Sequence, residues 1–144
     1  MSRHWLHHET SGATCVAPLV VFPRTGVTII VFKFLFENRF EKFEIENYGD
    51  MDGEEIVQLY IRDNVSSATR PVKELKGYKR VFLVKGTSKT VSFEIDESML
   101  AFYDINMDYC VEPGDFSIMV GSSSADIDLK SVNLTVNNRI KIKD

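Results

Sequence analysis

The sequence predicts an all-β protein, an antiparallel sandwich of about seven or eight strands. Apolar side chains alternate with polar ones, as at Val57, Leu59 and Ile61, which share one face of an extended chain. Turn signals built from glycine, proline, asparagine and aspartate separate these segments at close spacing. No stretch has the length and the 3.6-residue period of a substantial helix. Together these observations favour two packed sheets.

Two strands are predicted before the first glycine-rich turn. Residues 27–35 form an apolar run that reads as a buried strand, and residues 39–47 form a strand with Phe43 and Ile45 facing inward. Residues 48–53 then turn the chain, and their two glycines supply torsions that other residues avoid.

Residues 53–63 form the strand around which the rest is organised, and they lead into a polar loop, residues 64–70. Pro71 closes this loop, and its fixed torsion and missing N–H prevent ladder pairing until about Lys73. The sequence therefore predicts a rigid, charged loop between two strands.

A hairpin is expected next, from residues 75–84, the turn at 85–87 and residues 88–95. Asp96 is positioned to cap one helical turn over residues 97–100.

The last third contains three more predicted strands. They cover residues 107–111, 116–120 and 129–136, separated by a proline-glycine turn at 112–115 and a serine-rich loop at 121–126. We therefore assign the sandwich to residues 27–137, leave residues 1–26 unassigned as a leader or linker remnant, and interpret residues 138–144 as a polar tail.

Composition excludes several function classes. The 144 residues carry a formal net charge of -4 and no basic stripe, so a nucleic-acid partner is not expected. The apolar runs are too short to cross a membrane and too interrupted for a secretory signal. Cys15 and Cys110 form no Cys-x-x-Cys motif, and no cofactor is predicted. The compartment stays open.

Two groups of acidic residues have spacings that could serve catalysis or metal binding. Asp50, Asp52, Glu54 and Glu55 cluster at a turn, where a glycosidase pair would need one desolvated carboxyl; we interpret them as solvated turn acids. No nucleophile elbow occurs, and the predicted sandwich contains no histidine to serve as a base. The sequence predicts no catalytic residues and no enzyme activity of its own.

Asp104, Asn106 and Asp108 have the spacing of the first ligands of a calcium loop. The sixth position, which requires glycine, is Tyr109, and no glutamate closes the loop. A turn between strands is the alternative interpretation of these weak calcium candidates.

Several short motifs resemble one known family. They are Gln58-Leu59-Tyr60, Arg70-Pro71-Val72-Lys73-Glu74-Leu75-Lys76-Gly77, Ala101-Phe102-Tyr103-Asp104, Glu112-Pro113-Gly114 and Val120-Gly121-Ser122-Ser123-Ser124. The stretch from about residue 47 to 136 resembles the fibronectin type III-like, immunoglobulin-like domain that closes family 3 glycoside hydrolases, the β-glucosidases and their relatives. In that family the catalytic residues lie in two preceding domains, which this chain is too short to contain.

The resemblance implies a non-catalytic accessory domain whose partners are the catalytic domains of such an enzyme. It implies that the domain stabilises them and helps to shape the substrate entrance or a dimer contact. Parent enzymes of this family are often periplasmic or secreted. The alternative is a free-standing module that binds carbohydrate or another protein.

Two sets of surface residues are candidates for these roles. Arg70, Pro71, Lys73, Glu74 and Lys76 are candidates for interdomain docking, since the arginine donor fork suits carbonyl and carboxylate partners. The alternative is an internal clamp in which Arg70 or Lys73 pairs with Asp63 or Glu74. Tyr60, Tyr78 and Phe82 are weaker candidates for stacking on sugar rings, with packing as the alternative.

Overall fold

The structure is a computed structural model that describes residues 35–37 and 40–143. Its strands are β1 Leu35–Glu37, β2 Phe40–Glu46, β3 Gly53–Asp63, β4 Glu74–Leu83, β5 Ser88–Glu94, β6 Phe102–Tyr103, β7 Tyr109–Val111, β8 Gly114–Gly121, β9 Leu129–Val136 and β10 Ile140–Lys141. A one-turn helix, α1 Glu97–Leu100, follows β5, and a 3-10 helix, Asp126–Asp128, precedes β9. No helix in this part of the chain has the length and hydropathy needed to span a membrane.

All strand pairs are antiparallel, which confirms the predicted all-β class. One sheet has the order β4-β3-β8-β9, the second β1-β2-β5, and a small third sheet β10-β7-β6. The strand β3 lies at the centre of the largest sheet and pairs with β4 on one side and β8 on the other. The stretch singled out in the sequence is therefore central to the fold.

A single hydrophobic core fills the space between the sheets. Phe43 of β2 and Phe93 of β5 meet with ring centroids 5.9 Å apart, and both pack into the same buried cluster as Leu59 and Phe116 from the larger sheet. The alternation of each strand delivers these side chains to one face. Each fully buried large side chain contributes roughly 1.5–3 kcal/mol through removal from water.

The edge between β4 and β5 is closed by a lysine. The Lys79 ammonium donates a hydrogen bond to the Ser92 carbonyl of β5 and lies 5.3 Å from the Phe93 ring centroid. A lysine on an edge strand also discourages pairing with another sheet. Lys79 thus joins the two layers where they would otherwise be open.

Buried Asn47 organises the turn between β2 and β3. Its side-chain amide donates to the carbonyls of Met51 and Leu83 at 2.9 and 3.1 Å, and its side-chain oxygen accepts from the Gly49 amide at 2.9 Å. A polar side chain can be buried at little cost when its hydrogen bonds are satisfied. The predicted helical turn is also confirmed, because the Asp96 carboxylate accepts from the Met99 amide at 3.0 Å.

The two ends of the chain differ in how much of them the structure describes. The leader, residues 1–26, and most of the strand predicted at 27–35 lie outside the described residues. Part of the predicted polar tail forms a strand of the small third sheet, because Ile140 and Lys141 pair with Val111 and Cys110 as β10. Half-buried Ile140 packs against the hydrophobic core, and this apolar contact holds the segment against the domain. The two-residue strands β6 and β10 were not foreseen.

Candidate functional site: the Arg70 corner

Arg70 is the centre of a buried cluster of hydrogen bonds and ion pairs. Its guanidinium donates to Asp63 Oδ2 at 3.0 Å, to Glu74 Oε1 at 3.0 Å and to the Leu100 carbonyl at 3.2 Å. The guanidinium carbon also lies 4.7 Å from the ring centroid of Phe102. Only 10% of the Arg70 side chain is exposed. We call residues 70–76 the Arg70 corner.

The local sequence explains how this cluster forms. Asp63 ends β3 and Glu74 begins β4, so the loop that joins the two strands returns Arg70 to a point between their carboxylates. Arginine can serve several acceptors at once because its five N–H groups form a planar fork. The sequence alternative of an internal clamp is confirmed for Arg70 with both Asp63 and Glu74.

The two carboxylates have different electrostatic environments. Burial raises the pKa of Asp63, and the hydrogen bond from Arg70 offsets only part of that rise. The pKa of Glu74 is lowered, first by the hydrogen bond from Lys76 at 2.7 Å and then by Arg70. Asp63 therefore depends on Arg70 as its neutralising partner, whereas Glu74 has two.

Lys73 links the corner to the serine-rich loop. Its ammonium donates to the Ser124 carbonyl and to Asp126 Oδ1, both at 2.5 Å, and this contact lowers the pKa of Asp126. A second tie is made by Gln58, whose amide donates to the Ser122 carbonyl at 2.9 Å. The loop after β8 is thereby fastened to β3 and to the corner.

The corner therefore presents a mixed surface. Arg70, Lys73, Glu74 and Lys76 form internal contacts, while Pro71 and Val72 are exposed at the tip. All five predicted docking residues lie within residues 70–76, and these internal contacts define the conformation of that segment. Their role in docking to another domain stays a prediction.

The three aromatic candidates do not share one environment. Tyr60 is buried, and its hydroxyl donates to Gln58 Oε1 at 2.6 Å, so its ring is not exposed for stacking on a sugar. Tyr78 and Phe82 are 70% and 47% exposed on β4. Stacking of sugars on those two rings stays a prediction.

The weak calcium candidates form a turn between β6 and β7. The Asp104 carboxylate is buried, accepts from the amides of Asn106 and Asp108 at 2.8 and 3.0 Å, and pairs with Arg139. The amide of Asp108 and the other donors lower the pKa of Asp104. Within the described residues no group of three or more His, Cys, Asp or Glu could hold a metal ion. The Asp104 carboxylate anchors this turn through the Asn106 and Asp108 amides, in agreement with the alternative interpretation of a turn between strands.

The Asp104–Arg139 pair was missed in the sequence. The Asp-x-Asn-x-Asp spacing fits an aspartate that caps its own turn, and this signal was available. Arg139 lies 35 residues away, and no local pattern connects it to Asp104.

The acids at residues 50–55 also separate in the structure. Asp50, Asp52 and Glu54 are exposed, as expected for turn acids. Glu55 differs: only 9% of it is exposed, because it lies on the inward-facing side of β3 with Val57 and Leu59. The interpretation of Glu55 as a solvated turn acid was wrong, because this residue already belongs to β3 and is the first position of that strand to face the core. Burial raises its pKa, although the Ile56 amide donates to it at 3.2 Å.

Replacing Glu55 with glutamine should stabilise the domain at neutral pH. Burial disfavours the charged form of Glu55, so the folded protein has its full stability below the unfolded pKa of 4.5, where this side chain is protonated in both states. It loses stability as the pH rises through the higher pKa of the folded state. The free energy of unfolding of Glu55→Gln should thus equal that of the wild type near about pH 4 and exceed it near about pH 7. Because the Ile56 amide stabilises the charged carboxylate and offsets part of the cost of burial, the gain should stay below about 1.4 kcal/mol. Urea unfolding of both proteins at the two pH values measures it, and a gain that does not grow with pH would contradict this account.

Comparison with known proteins places this geometry in a family. The fibronectin type III-like domain family matches residues 55–124, from β3 into the serine-rich loop. Thermostable beta-glucosidase B of Acetivibrio thermocellus is 48% identical over 101 residues, which are 69% of this chain and 13% of that enzyme. A beta-xylosidase of Formosa agariphila is 46% identical over 93 residues, 65% of this chain and 13% of that enzyme.

Solved structures give the same relationship. The beta-glucosidase of Listeria innocua in complex with glucose superimposes with a TM-score of 0.65 at 35% identity, over 69% of this chain and 14% of that enzyme. The GH3 beta-glucosidase of Bifidobacterium adolescentis superimposes with a TM-score of 0.64 at 32% identity, over 68% of this chain and 14% of that enzyme. The chain thus spans about one eighth of the length of the enzymes that it matches. It carries a fibronectin type III-like domain related to the one found in family 3 β-glucosidases.

Proposed function

We propose that this domain is a non-catalytic accessory domain of a family 3 glycoside hydrolase of the β-glucosidase type, which stabilises the catalytic domains. The observation that carries the proposal is the extent of the match. Relatives that act as β-glucosidases share only this segment with the chain, 13–14% of their length, and the segment is a fibronectin type III-like domain.

The polar clusters support the same conclusion. Asp63 and Glu74 are neutralised by Arg70, and Asp104 is neutralised by Arg139. A glycosidase needs two carboxyls that flank a substrate, one of them protonated by a raised pKa. In the described residues the two acids with raised pKa values, Glu55 and Asp63, face the core and the Arg70 guanidinium. In this part of the chain neither acid flanks a second carboxyl in the arrangement that a glycosidase needs, which favours an accessory role.

The Arg70 corner is the proposed docking element within this function. Its internal ion pairs hold the loop after β3 in one shape before any partner arrives, so little conformational entropy is lost on docking. Pro71 and Val72, exposed at the tip, are the residues positioned to touch a neighbouring domain. Lys73 and Lys76 follow in the sequence, and their ion pairs with Asp126 and Glu74 help to hold the segment in place. A contribution to the substrate entrance or to a dimer contact belongs to the same proposal.

An exchange of domains tests the proposal. In thermostable beta-glucosidase B, the matching segment is either deleted or replaced by this chain, and the half-life of activity toward an aryl β-glucoside is measured at elevated temperature. The deletion should shorten the half-life by at least about tenfold, because an interdomain interface is lost, and the replacement should restore most of it. A change in KM without a change in half-life would indicate a role at the substrate entrance.

The 144-residue chain alone serves as the control for activity. It should show no turnover of the same aryl β-glucoside. Turnover by the purified chain, or a replaced enzyme that is as unstable as the deletion, would refute the accessory role.

A further inference from the structure

Four exposed apolar side chains lie together on the outer face of the larger sheet. Leu75, Tyr78 and Phe82 of β4 and Ile56 of β3 are 52%, 70%, 47% and 40% exposed. The register sets Phe82 opposite Glu54, Arg80 opposite Ile56, Tyr78 opposite Gln58 and Leu75 opposite Tyr60, so the four share one face. We call this set the β4 face. Contiguous apolar surface of this kind on a soluble domain usually marks a contact site.

The outer face of the other sheet shows that this exposure is not general. There β2 and β5 send Phe43, Ile45, Val91 and Phe93 inward. Where the side chains of β2 and β5 are described, over residues 42–46 and 88–94, the outward positions include Lys42, Glu44, Glu46, Thr90, Ser92 and Glu94, which are polar. Over these described positions the second sheet is polar on its outside, whereas the larger sheet exposes apolar side chains on β4.

The composition of the β4 face fits a protein partner better than a sugar. Ile56 and Leu75 are aliphatic and offer no flat ring for stacking, and Arg80 lies between Tyr78 and Phe82 on the strand. Arg80 is 3.7 Å from Glu54, so a charged pair lies among the apolar groups. Aromatic residues with arginine and a polar rim are typical of protein interfaces.

The comparisons with known proteins indicate which protein partner would cover the β4 face. The relatives contain this domain as about one eighth of a longer enzyme, so most of each relative is protein outside the matched segment. The β4 face and the Arg70 corner share exposed Leu75, which lies within residues 70–76. A partner that touches the corner would reach this face as well.

We propose that the β4 face is the surface on which the catalytic part of a family 3 glycoside hydrolase rests, with Tyr78 and Phe82 as its principal contacts. This inference rests on the accessory function proposed above and specifies where the contact lies. Large aromatic side chains at the centre of an interface commonly supply most of its binding energy.

The test uses the exchanged thermostable beta-glucosidase B that carries this chain. The double variant Tyr78→Ser, Phe82→Ser is compared with Ile105→Ser, Met107→Ser, a control that removes two large apolar side chains, each 73% exposed, from the turn between β6 and β7. The aromatic double variant should shorten the half-life of activity at elevated temperature by about tenfold or more, and the control by less than about twofold. Thermal unfolding of the two variants in the isolated 144-residue chain should be similar, because all four side chains are exposed.

Hydrogen exchange provides a second readout that needs no variant. Amides of β3 and β4 should exchange more slowly in the exchanged enzyme than in the isolated chain, whereas amides of β2 and β5 should be unchanged. If the exchanged enzyme is stable but the aromatic double variant matches the control and β4 gains no protection, the β4 face is not the interface, and the accessory function stands. If the exchanged enzyme is no more stable than the deletion, both proposals fail.

Two other occupants would overturn the inference directly. Binding to laminarin or cello-oligosaccharides in an affinity gel, lost in the aromatic double variant while the half-life is unchanged, would assign the face to sugar. A concentration-dependent dimer of the isolated chain, abolished by the same variant under the same conditions, would assign it to a second copy.

Discussion

Replacement of Arg70 by alanine is expected to lower the free energy of unfolding by about 3–5 kcal/mol. The change leaves the Asp63 carboxylate, whose side chain is only 2% exposed, buried without its neutralising partner. It also removes the donor to the Leu100 carbonyl and the guanidinium that packs on Phe102. Urea unfolding at neutral pH measures the loss.

Arg80→Ala is the matched control for this loss. Arg80 is on β4, its side chain is 68% exposed, and it lies 3.7 Å from Glu54, so its removal should cost less than about 1 kcal/mol. The deficit of Arg70→Ala should also shrink at acid pH. In that variant burial raises the pKa of Asp63 without the opposing effect of arginine. The variant is therefore penalised least below the unfolded pKa of 3.8, where Asp63 is protonated in both states, and it loses stability as the pH rises. Equal losses for the two arginine variants would show that the Arg70 corner is not a structural clamp.

Replacement of Gly121 by alanine is expected to cost about 3 kcal/mol, near the upper end of the usual range for one substitution. A Cβ atom at this position would lie 2.0 Å from the carbonyl oxygen and 2.9 Å from the carbonyl carbon of Asp128. Neither backbone atom can yield as a flexible side chain would, so the loop after β8 must move. The hydrogen bonds from Gln58 to Ser122 and from Lys73 to Asp126 should weaken with it.

Gly77→Ala provides the comparison, because its Cβ atom would meet only side-chain atoms, the nearest being the Phe93 ring at 3.4 Å and Leu59 Cδ2 at 3.9 Å. Those contacts are close to ordinary van der Waals distances, and the cost should stay below about 1 kcal/mol. The prediction is checked by the thermal midpoints of both variants and by amide exchange in residues 122–128. A Gly121→Ala protein with the stability and loop protection of Gly77→Ala would contradict it.

The sequence determined the fold class and most of the strands through short-range patterns. The alternation at Val57, Leu59 and Ile61 specifies which face of β3 is buried wherever its neighbours lie. Gly86 was expected in a turn and has a φ of 71°, and Asp96 was expected to cap a helical turn and does so. These features depend on residues a few positions apart, so they can be predicted without the tertiary structure.

The family resemblance was available from the sequence for the same reason. It is carried by contiguous motifs such as the one from Arg70 to Gly77, which the comparisons with β-glucosidases support. The docking and sugar candidates could only be named as residue types. Tyr60 and Tyr78 are both tyrosines on the outer face of the larger sheet, and only the packing around them makes one buried and the other 70% exposed.

Only the tertiary structure decided which charges neutralise each other. Asp104 pairs with Arg139 across 35 residues, Lys73 with Asp126 across 53, and β10 joins the sheet at the end of the chain. Glu55 is buried although the acids just before it are exposed. Burial, pKa and ion pairing depend on what lies within a few ångströms in space, and chain topology, which local patterns do not encode, brings those groups together.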